Sequence, residues 1–252
     1  PERPIVLLRK RADAVFAPGL ADKLPELGVM LPATPVQHLL LHDFAASGGC
    51  GMLVMTSGNV HDEPIVVDDE QAYARLAGIA DAFLGNNRAI RARYDDSVLR
   101  VLRVGADENG EPIEAVQFIR RARGFAPAPL VDPARSDGAP GVLAVGPEQK
   151  NTFAITRGKQ TFVSQHIGDM ENADVYDAWL ESKARFQELF ELAPSVVACD
   201  KHPEYLTSKW AHAQELPVRE VQHHHAHIAS VMGEHGITDA VCGIAFDGTG
   251  YG

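Results

Sequence analysis

Four histidines lie within five residues of the sequence, at positions 223, 224, 225 and 227. His223 and His227 are four residues apart, so on a helix they share one face and can hold one ion through neutral imidazole nitrogens. The zincin motif His-Glu-x-x-His is excluded because position 224 is His rather than Glu. The alternative is a polar helix start whose histidines cap the helix and contact solvent. So dense a cluster favours contact with a metal or a phosphate.

A second candidate is Asp247, which follows the apolar run that begins at Gly243 and precedes alternating glycines. Glycines let backbone N–H groups approach a phosphate, and a carboxylate can hold a cation. Alone, the pattern also fits a β-turn after a buried strand. Asp247 can supply the oxygen ligand that His223 and His227 leave missing, so we predict a metal site of these three residues. This donor set suits zinc or iron, and neighbouring phosphates would suit magnesium.

The turn Gly146–Thr152 joins two predicted strands and contains Lys150, Asn151 and Thr152. These residue types bind phosphate, although on spacing alone a polar hairpin explains them better. No motif ending in Gly-Lys-Ser/Thr occurs in the sequence, which disfavours a P-loop fold.

Two polar sets in the first half suit a nucleotide or an acyl phosphate. Thr56, Ser57 and Asn59 follow a predicted strand end, where ligands of open α/β sheets bind, although an ordinary Ser-Gly-Asn turn has the same residues. Arg121 and Arg123 can pair with phosphate through their guanidinium groups, and a solvated basic strand explains them about equally well.

Elements that would position these residues can be predicted from periodicity. In the first half, short β-branched runs predict the strands Ile5–Leu8, Gly51–Met55, Ser97–Leu102 and Ala115–Ile119. Apolar residues at helical spacing behind an aspartate cap predict a helix over 69–84. The mixture of strands and helices indicates an α/β or α+β domain.

The second half opens with three predicted strands joined by tight turns, which form an antiparallel meander: Gly141–Gly146, Thr152–Thr156 and Thr161–Ser164. Helices and strands then alternate: helix 172–192, strand Val196–Cys199, helix 206–215, strand Val218–Val221, helix 224–235 and strand Val241–Phe246. A meander followed by this alternation is the layout of one half of an actin-like ATPase.

The composition narrows the class of protein. The chain has 252 residues, 45% of them hydrophobic, and a net charge of −11, which is a globular composition and argues against a general nucleic-acid coat. No apolar run approaches the roughly 20 residues of a membrane-spanning helix, so we expect no membrane association. Three widely spaced cysteines fit no disulfide framework or Cys-x-x-Cys site, which predicts a reducing, cytoplasmic setting. The proline-rich segment 126–140 has no apolar periodicity and divides the chain.

Eight motifs along the chain resemble, in order, the carbamoyltransferase HypF family of NiFe-hydrogenase maturation. They are Met55–Asn59 (MTSGN), Asp95–Val98 (DDSV), Arg120–Pro127 (RRARGFAP), Gly146–Thr152 (GPEQKNT), Ser164–Asp169 (SQHIGD), Cys199–Tyr205 (CDKHPEY), Val221–His227 (VQHHHAH) and Asp247–Gly252 (DGTGYG). The resemblance covers nearly the whole chain.

The resemblance implies an α/β fold class, with the back part of a YrdC-like domain followed by the front of a TsaD-like, actin-type ATPase domain. We expect the YrdC-like part over 1–125, a linker over 126–140 and the TsaD-like part over 141–252. The first part would make carbamoyl-adenylate from carbamoyl phosphate and ATP. The second would pass the carbamoyl group to the C-terminal cysteine of HypE, as the precursor of the cyanide ligands of the hydrogenase. As an internal piece of a longer protein, the chain is expected to be inactive alone.

Site residues follow from the resemblance motif by motif, with ATP and a divalent metal (zinc or iron, or else magnesium) as cofactors. The implied metal ligands are His223, His227 and Asp247. The implied nucleotide and phosphate contacts are Thr56, Ser57, Asn59, Arg121, Arg123, Lys150, Asn151, Thr152, Gly248, Thr249 and Gly250.

Three alternatives stay open. A tRNA threonylcarbamoyl-transfer fusion shares both domain types, although the 164–169 and 199–205 motifs favour the HypF family. The first half could bind double-stranded RNA weakly through its arginines, which the acidic composition counts against. A metal-storage or interaction protein would use the histidine cluster alone.

Overall fold

A computed structural model describes residues 2–61, 63–248 and 250–252. The chain forms two compact units, the first comprising residues up to 57 and 94–125, the second residues 58–93 and 126–252. Segment 58–93 thus groups with the second unit rather than with the rest of 1–125. The boundaries 1–125, 126–140 and 141–252 stay a prediction. Both units mix helices and strands, which confirms the α/β fold class.

Over its described part, residues 2–57 and 94–125, the first unit forms a four-stranded sheet and one helix. Its elements are β1 (Ile5–Arg9), β2 (Glu26–Val29), α1 (Pro35–Ala46), β3 (Val98–Ala106) and β4 (Pro112–Arg120). The strand order is β2-β1-β3-β4. β1 is antiparallel to β2 and parallel to β3, and β3 forms an antiparallel hairpin with β4. The hairpin and β1 confirm three of the four strands predicted in this half.

Helix α1 was not predicted, although its start has a sequence signature. The Thr34 hydroxyl accepts a hydrogen bond from the Gln37 backbone N–H, and the Gln37 side chain accepts one from the Thr34 N–H. This reciprocal capping box, with Pro35 in the first turn, satisfies backbone donors that otherwise lack a partner.

In the residues that the structure describes, the second unit forms a six-stranded sheet and four helices. Its elements are α2 (Asp69–Leu76), β5 (Leu130–Val131), β6 (Val142–Ala144), β7 (Ala154–Arg157), β8 (Gln160–Val163), α3 (Ala173–Leu189), β9 (Val196–Asp200), α4 (Leu206–His212), β10 (Val218–Val221) and α5 (His223–His235). The strand order is β10-β9-β6-β7-β8-β5. The antiparallel pairs β6–β7 and β7–β8 confirm the predicted meander, and β6, β9 and β10 are parallel.

The core of the second unit lies between this sheet and α3. Asn172 caps α3 by accepting the backbone N–H of Asp174. Trp179 on the helix and Phe153 from the meander are fully buried, and the Phe153 ring lies 5.1 Å from that of Phe186. Such edge-to-face pairs stabilise the core beyond the apolar area that they bury.

The predictions of strands over 51–55 and 241–246 are wrong. An apolar run forms a strand only when a neighbouring strand pairs with its backbone through hydrogen bonds. Segments 51–55 and 241–246 have no regular secondary structure, and Met52, Ile244 and Phe246 are largely exposed. Conversely, the predicted linker contains β5, which pairs with β8. Helix α2 ends at Leu76 instead of residue 84. Among the described residues, no helix has both the length and the hydrophobicity needed to cross a membrane.

Candidate functional site

Adjacent parallel strands bring the site residues of the second unit together. Asp200 ends β9 and is the register partner of Val221, which ends β10. His223 begins α5 two residues later, with Gln222 as the N-cap whose side chain accepts the His225 N–H. The carboxyl ends of parallel strands meet at one sheet edge, where α/β proteins bind ligands. The helix thus presents His223 and His227 on one face, as predicted.

His223, His227 and Asp247 converge on one point. One Asp247 oxygen, Oδ2, lies 3.0 Å from Nε2 of His223 and 3.0 Å from Nε2 of His227. The three ligand atoms all lie within 4.8 Å of one another. Ligands of one zinc ion at about 2.0–2.1 Å are separated by at most about 4.2 Å. A small movement of one side chain would therefore let all three bind the same ion, so the residues fit a divalent metal.

The neighbouring His224 has a different contact. Nδ1 of His224 lies 3.0 Å from Nε2 of Gln222. A Cβ atom at Gly250 would come within 2.5 Å of the His224 ring, so a larger residue there would require this ring to move. Gly248 and Gly250 are exposed, and Thr249 lies outside the described residues.

The turn 146–152 is built around Asn151, which is completely buried. Its Nδ2 donates to the backbone carbonyls of Val145, at 3.1 Å, and Pro147, at 2.5 Å. Its backbone N–H donates to the carbonyl of Gly168. Asn151 therefore shapes the turn from within, and its predicted contact with phosphate is untested.

Lys150 is exposed and adopts a left-handed conformation, with φ of 49°. Its backbone N–H donates to the Asp169 carboxylate at 2.6 Å. Thr152 is half-buried. The turn thus leaves Lys150 at its tip, and contact of Lys150 and Thr152 with phosphate stays a prediction.

Two functional candidates were missed in the sequence, although both lie inside motifs quoted above. Asp200 lies 2.6 Å from Nδ1 of His223, and its side chain is only 7% exposed. Glu148 is buried in turn 146–152, accepts the Leu206 N–H and has a pKa raised by burial. Burial also raises the pKa of the Tyr205 hydroxyl, and the carboxylates of Asp200, Glu148 and Asp247 raise it further. The hydrogen bond of Glu148 to the Leu206 N–H and the contact of Asp200 with His223 connect both the turn and the histidine cluster to segment 200–206.

Both predicted arginines of the first unit have protein partners. Nη2 of Arg121 donates to the carbonyl of Phe125 at 2.8 Å, and burial lowers the pKa of this guanidinium. Nε of Arg123 donates to Asp96 Oδ1 at 2.6 Å, and its Nη2 donates to the carbonyl of Arg3. A phosphate contact of Arg123 would have to share the guanidinium with Asp96.

The predicted nucleotide contacts Thr56, Ser57 and Asn59 are divided between the two units. Thr56 and Ser57 are exposed and belong to the first unit, whereas Asn59 belongs to the second. Nδ2 of Asn59 donates to the carbonyls of Val60 and Glu63. Contact of these three residues with a nucleotide stays a prediction.

Comparisons with known proteins agree with this organisation. Residues 1–111 match the Sua5/YciO/YrdC family model, described as telomere recombination, and residues 137–234 match the HypF Kae1-like domain. The carbamoyltransferase HypF2 of Cupriavidus necator is 48% identical over 268 aligned residues, covering 100% of this chain and 32% of that relative. The carbamoyltransferase HypF of Synechocystis is 42% identical and is covered over 30% of its length.

Solved structures match over the whole chain as well. A crystal structure of full-length HypF in its phosphate- and nucleotide-bound form has a TM-score of 0.86 at 46% identity, with 37% of that protein covered. The crystal structure of HypF from T. kodakarensis has a TM-score of 0.82 at 36% identity, with 31% covered.

The fold and the matches define an α/β protein that joins a Sua5/YrdC-type part to a Kae1-like part. Whole-chain similarity to proteins named HypF makes the assignment specific. The chain belongs to the carbamoyltransferase HypF family, which confirms the resemblance found in the sequence, and it spans about a third of the length of its curated relatives.

Proposed function

We propose that the protein carries out ATP-dependent carbamoyl transfer from carbamoyl phosphate, through carbamoyl-adenylate, to the C-terminal cysteine of HypE. The observation that carries this proposal is the His223, His227 and Asp247 cluster, set at a sheet edge in a chain that matches a phosphate- and nucleotide-bound HypF. A cluster of three side chains that could hold a divalent cation suits a reaction on a phosphate anion.

The chemical problem of transfer to the cysteine is negative charge, because carbamoyl-adenylate and the AMP that leaves it are both anions. A divalent cation bound by the three ligands would offset this phosphate charge and polarise a phosphoryl oxygen. This chain's own residues would contribute the Lys150 ammonium at the tip of its turn and the Thr152 hydroxyl. The ammonium and the hydroxyl would stabilise the negative charge of the phosphate group, which is present before transfer and is redistributed during it.

The proposed sequence of bonds has two stages. In the first, water displaces inorganic phosphate from carbamoyl phosphate, an oxygen of the resulting carbamate attacks the α-phosphorus of ATP, and the bond to pyrophosphate breaks. We assign this stage to the YrdC-like part, with Thr56, Ser57, Arg121 and Arg123 as candidate contacts. In the second, the cysteine sulfur attacks the carbamoyl carbon, the carbon–oxygen bond to AMP breaks, and the thiol proton is released.

The test is isotope exchange with purified full-length protein. In the presence of carbamoyl phosphate, label from pyrophosphate should be incorporated into ATP. An absence of this exchange would refute the proposal. His223→Ala, in the second unit, should retain this exchange while losing transfer to HypE. Loss of exchange in that variant would contradict the assignment of the two stages.

The alternatives predict different results. A threonylcarbamoyl-transfer fusion would require threonine for the exchange, but the relatives matched over the whole chain are named HypF. Weak RNA binding by the first unit would fall steeply with added salt. A metal-storage protein would bind metal but show no carbamoyl-phosphate-dependent exchange.

A further inference from the structure

Asp200 is a buried carboxylate for which the proposed reaction has so far no role. Its side chain is 7% exposed. Oδ1 accepts the His202 backbone N–H at 2.8 Å, and Oδ2 lies 2.6 Å from Nδ1 of His223. Burying a carboxylate is costly unless it is hydrogen-bonded, and here both oxygens have a partner.

The contact with Asp200 decides what the other side of the His223 ring can do. A carboxylate oxygen at 2.6 Å is an acceptor, so Nδ1 carries the proton. In a neutral imidazole the lone pair is then on Nε2. That nitrogen faces Asp247 Oδ2 at 3.0 Å, on the side of the ring opposite Asp200. An ion bound through Nε2 therefore lies away from Asp200.

We infer that Asp200 is the positioning residue of the metal centre, because it holds His223 in the tautomer and orientation that bind an ion. The inference rests on the proposed metal site of His223, His227 and Asp247. Carboxylates that accept from the second nitrogen of a ligating histidine fix the ring and raise its basicity.

The backbone holds Asp200 firmly in place. Asp200 ends β9 and is the register partner of Val221 in β10. Val221 lies two residues before His223 in the sequence. The Ser208 hydroxyl, which is buried, donates to the Asp200 carbonyl at 2.9 Å. A hydrogen-bonded strand end is a more rigid support than a loop, so the ring orientation is set before any ion binds.

Asp200→Asn tests the inference because an amide has one acceptor oxygen where the carboxylate has two. If that oxygen faces His202 N–H, the NH₂ group faces Nδ1 of His223 and favours the tautomer protonated on Nε2, which cannot bind an ion through Nε2. If it faces Nδ1 instead, the NH₂ group opposes the His202 N–H. The side-chain shape is otherwise conserved.

The measurement is the Zn²⁺ affinity of full-length protein, by competition with a chelating dye. Asp200→Asn should weaken Zn²⁺ binding about 10- to 100-fold, the range typical of such supporting carboxylates. His223→Ala should remove this site, and unfolding without Zn²⁺ should shift by only a few degrees in Asp200→Asn. The matched control is Asp107→Asn, since Asp107 also accepts the N–H two residues on, in the β3–β4 turn.

Each outcome is decisive. Equal Zn²⁺ affinity in wild type and Asp200→Asn overturns the inference alone. Equal affinity in wild type and His223→Ala, or no Zn²⁺ binding at all, overturns the metal centre together with it. The proposed reaction is tested separately by pyrophosphate exchange, which does not depend on the Zn²⁺ affinity of this site. Should Asp200→Asn fail to fold, a crystal structure of wild type with Zn²⁺ decides: the ion belongs on Nε2 of His223, and direct ligation by Asp200 refutes the positioning role.

Discussion

The turn that contains the predicted phosphate contacts depends on one buried side chain. Asn151 is fully buried and donates through Nδ2 to the carbonyls of Val145 and Pro147. With two carbonyl oxygens as its neighbours, this end of the side chain must be the NH₂ group. Asn151→Ala removes both donors, and we expect the second unit to lose stability.

The loss can be estimated from the contacts. A typical hydrogen bond contributes about 0.5–1.5 kcal/mol net, and a buried group left without a partner costs about 1–3 kcal/mol. Val145 is completely buried, so water cannot replace the amide at its carbonyl without opening the turn. We expect Asn151→Ala to lower the free energy of unfolding by about 2–4 kcal/mol. Asn151→Asp should cost at least as much, because a buried carboxylate would face two carbonyl oxygens.

The assay is guanidinium unfolding of this chain followed by tryptophan fluorescence. Both tryptophans, Trp179 and Trp210, lie in the second unit with their rings 5.1 Å apart, so the signal reports that unit. Gln149→Ala is the matched control, because this exposed neighbour should change stability by less than about 0.5 kcal/mol. A loss below about 1 kcal/mol for Asn151→Ala would refute the structural role.

Three further predictions concern the core, pH and thiol chemistry. Phe153→Ala should lower the free energy of unfolding by about 3–5 kcal/mol, since the ring is fully buried, and denaturant titration showing under about 1 kcal/mol would contradict this. Burial raises the pKa of Glu148 above 4.5, so the folded state holds the proton of this carboxyl group more tightly than the unfolded state does. The free energy of unfolding therefore falls as the pH rises from 4.5 through the raised pKa. The unfolding free energy of wild type relative to Glu148→Gln should fall over that window, and a flat difference would count against it. Iodoacetamide should label exposed Cys50 before Cys199, whose thiol pKa is raised by burial; peptide mass spectrometry showing the reverse order would reject the burial.

Much of the fold was predictable because local patterns and tertiary contacts agree. In α3, the apolar face and the Asn172 cap match the buried stripe and the observed helix start. The meander and the strands β9 and β10 combine β-branched runs with clear turn residues. Strands such as β2 and β5 are short, and nothing in their own sequence distinguishes them from extended loop.

The failures have a common physical cause. The apolar runs 51–55 and 241–246 have the composition of strands, but a strand also needs a partner that accepts its backbone hydrogen bonds. Neither run pairs with a strand in the part of the chain that the structure describes. Helix α2 likewise ends where Ile79, at 69% exposed, has no core to cover.

The candidate site shows the same division. Residue type and helical spacing in the sequence already favoured His223 and His227 as ligands, and Asp247 as the third, because donor chemistry is local to each side chain. The role of Asp200 was decided only by the tertiary structure. Sequence separates it from His223 by 23 residues, and the parallel register of β9 and β10 brings the two side chains within 2.6 Å. A contact between strand ends depends on sheet pairing, which no local pattern encodes.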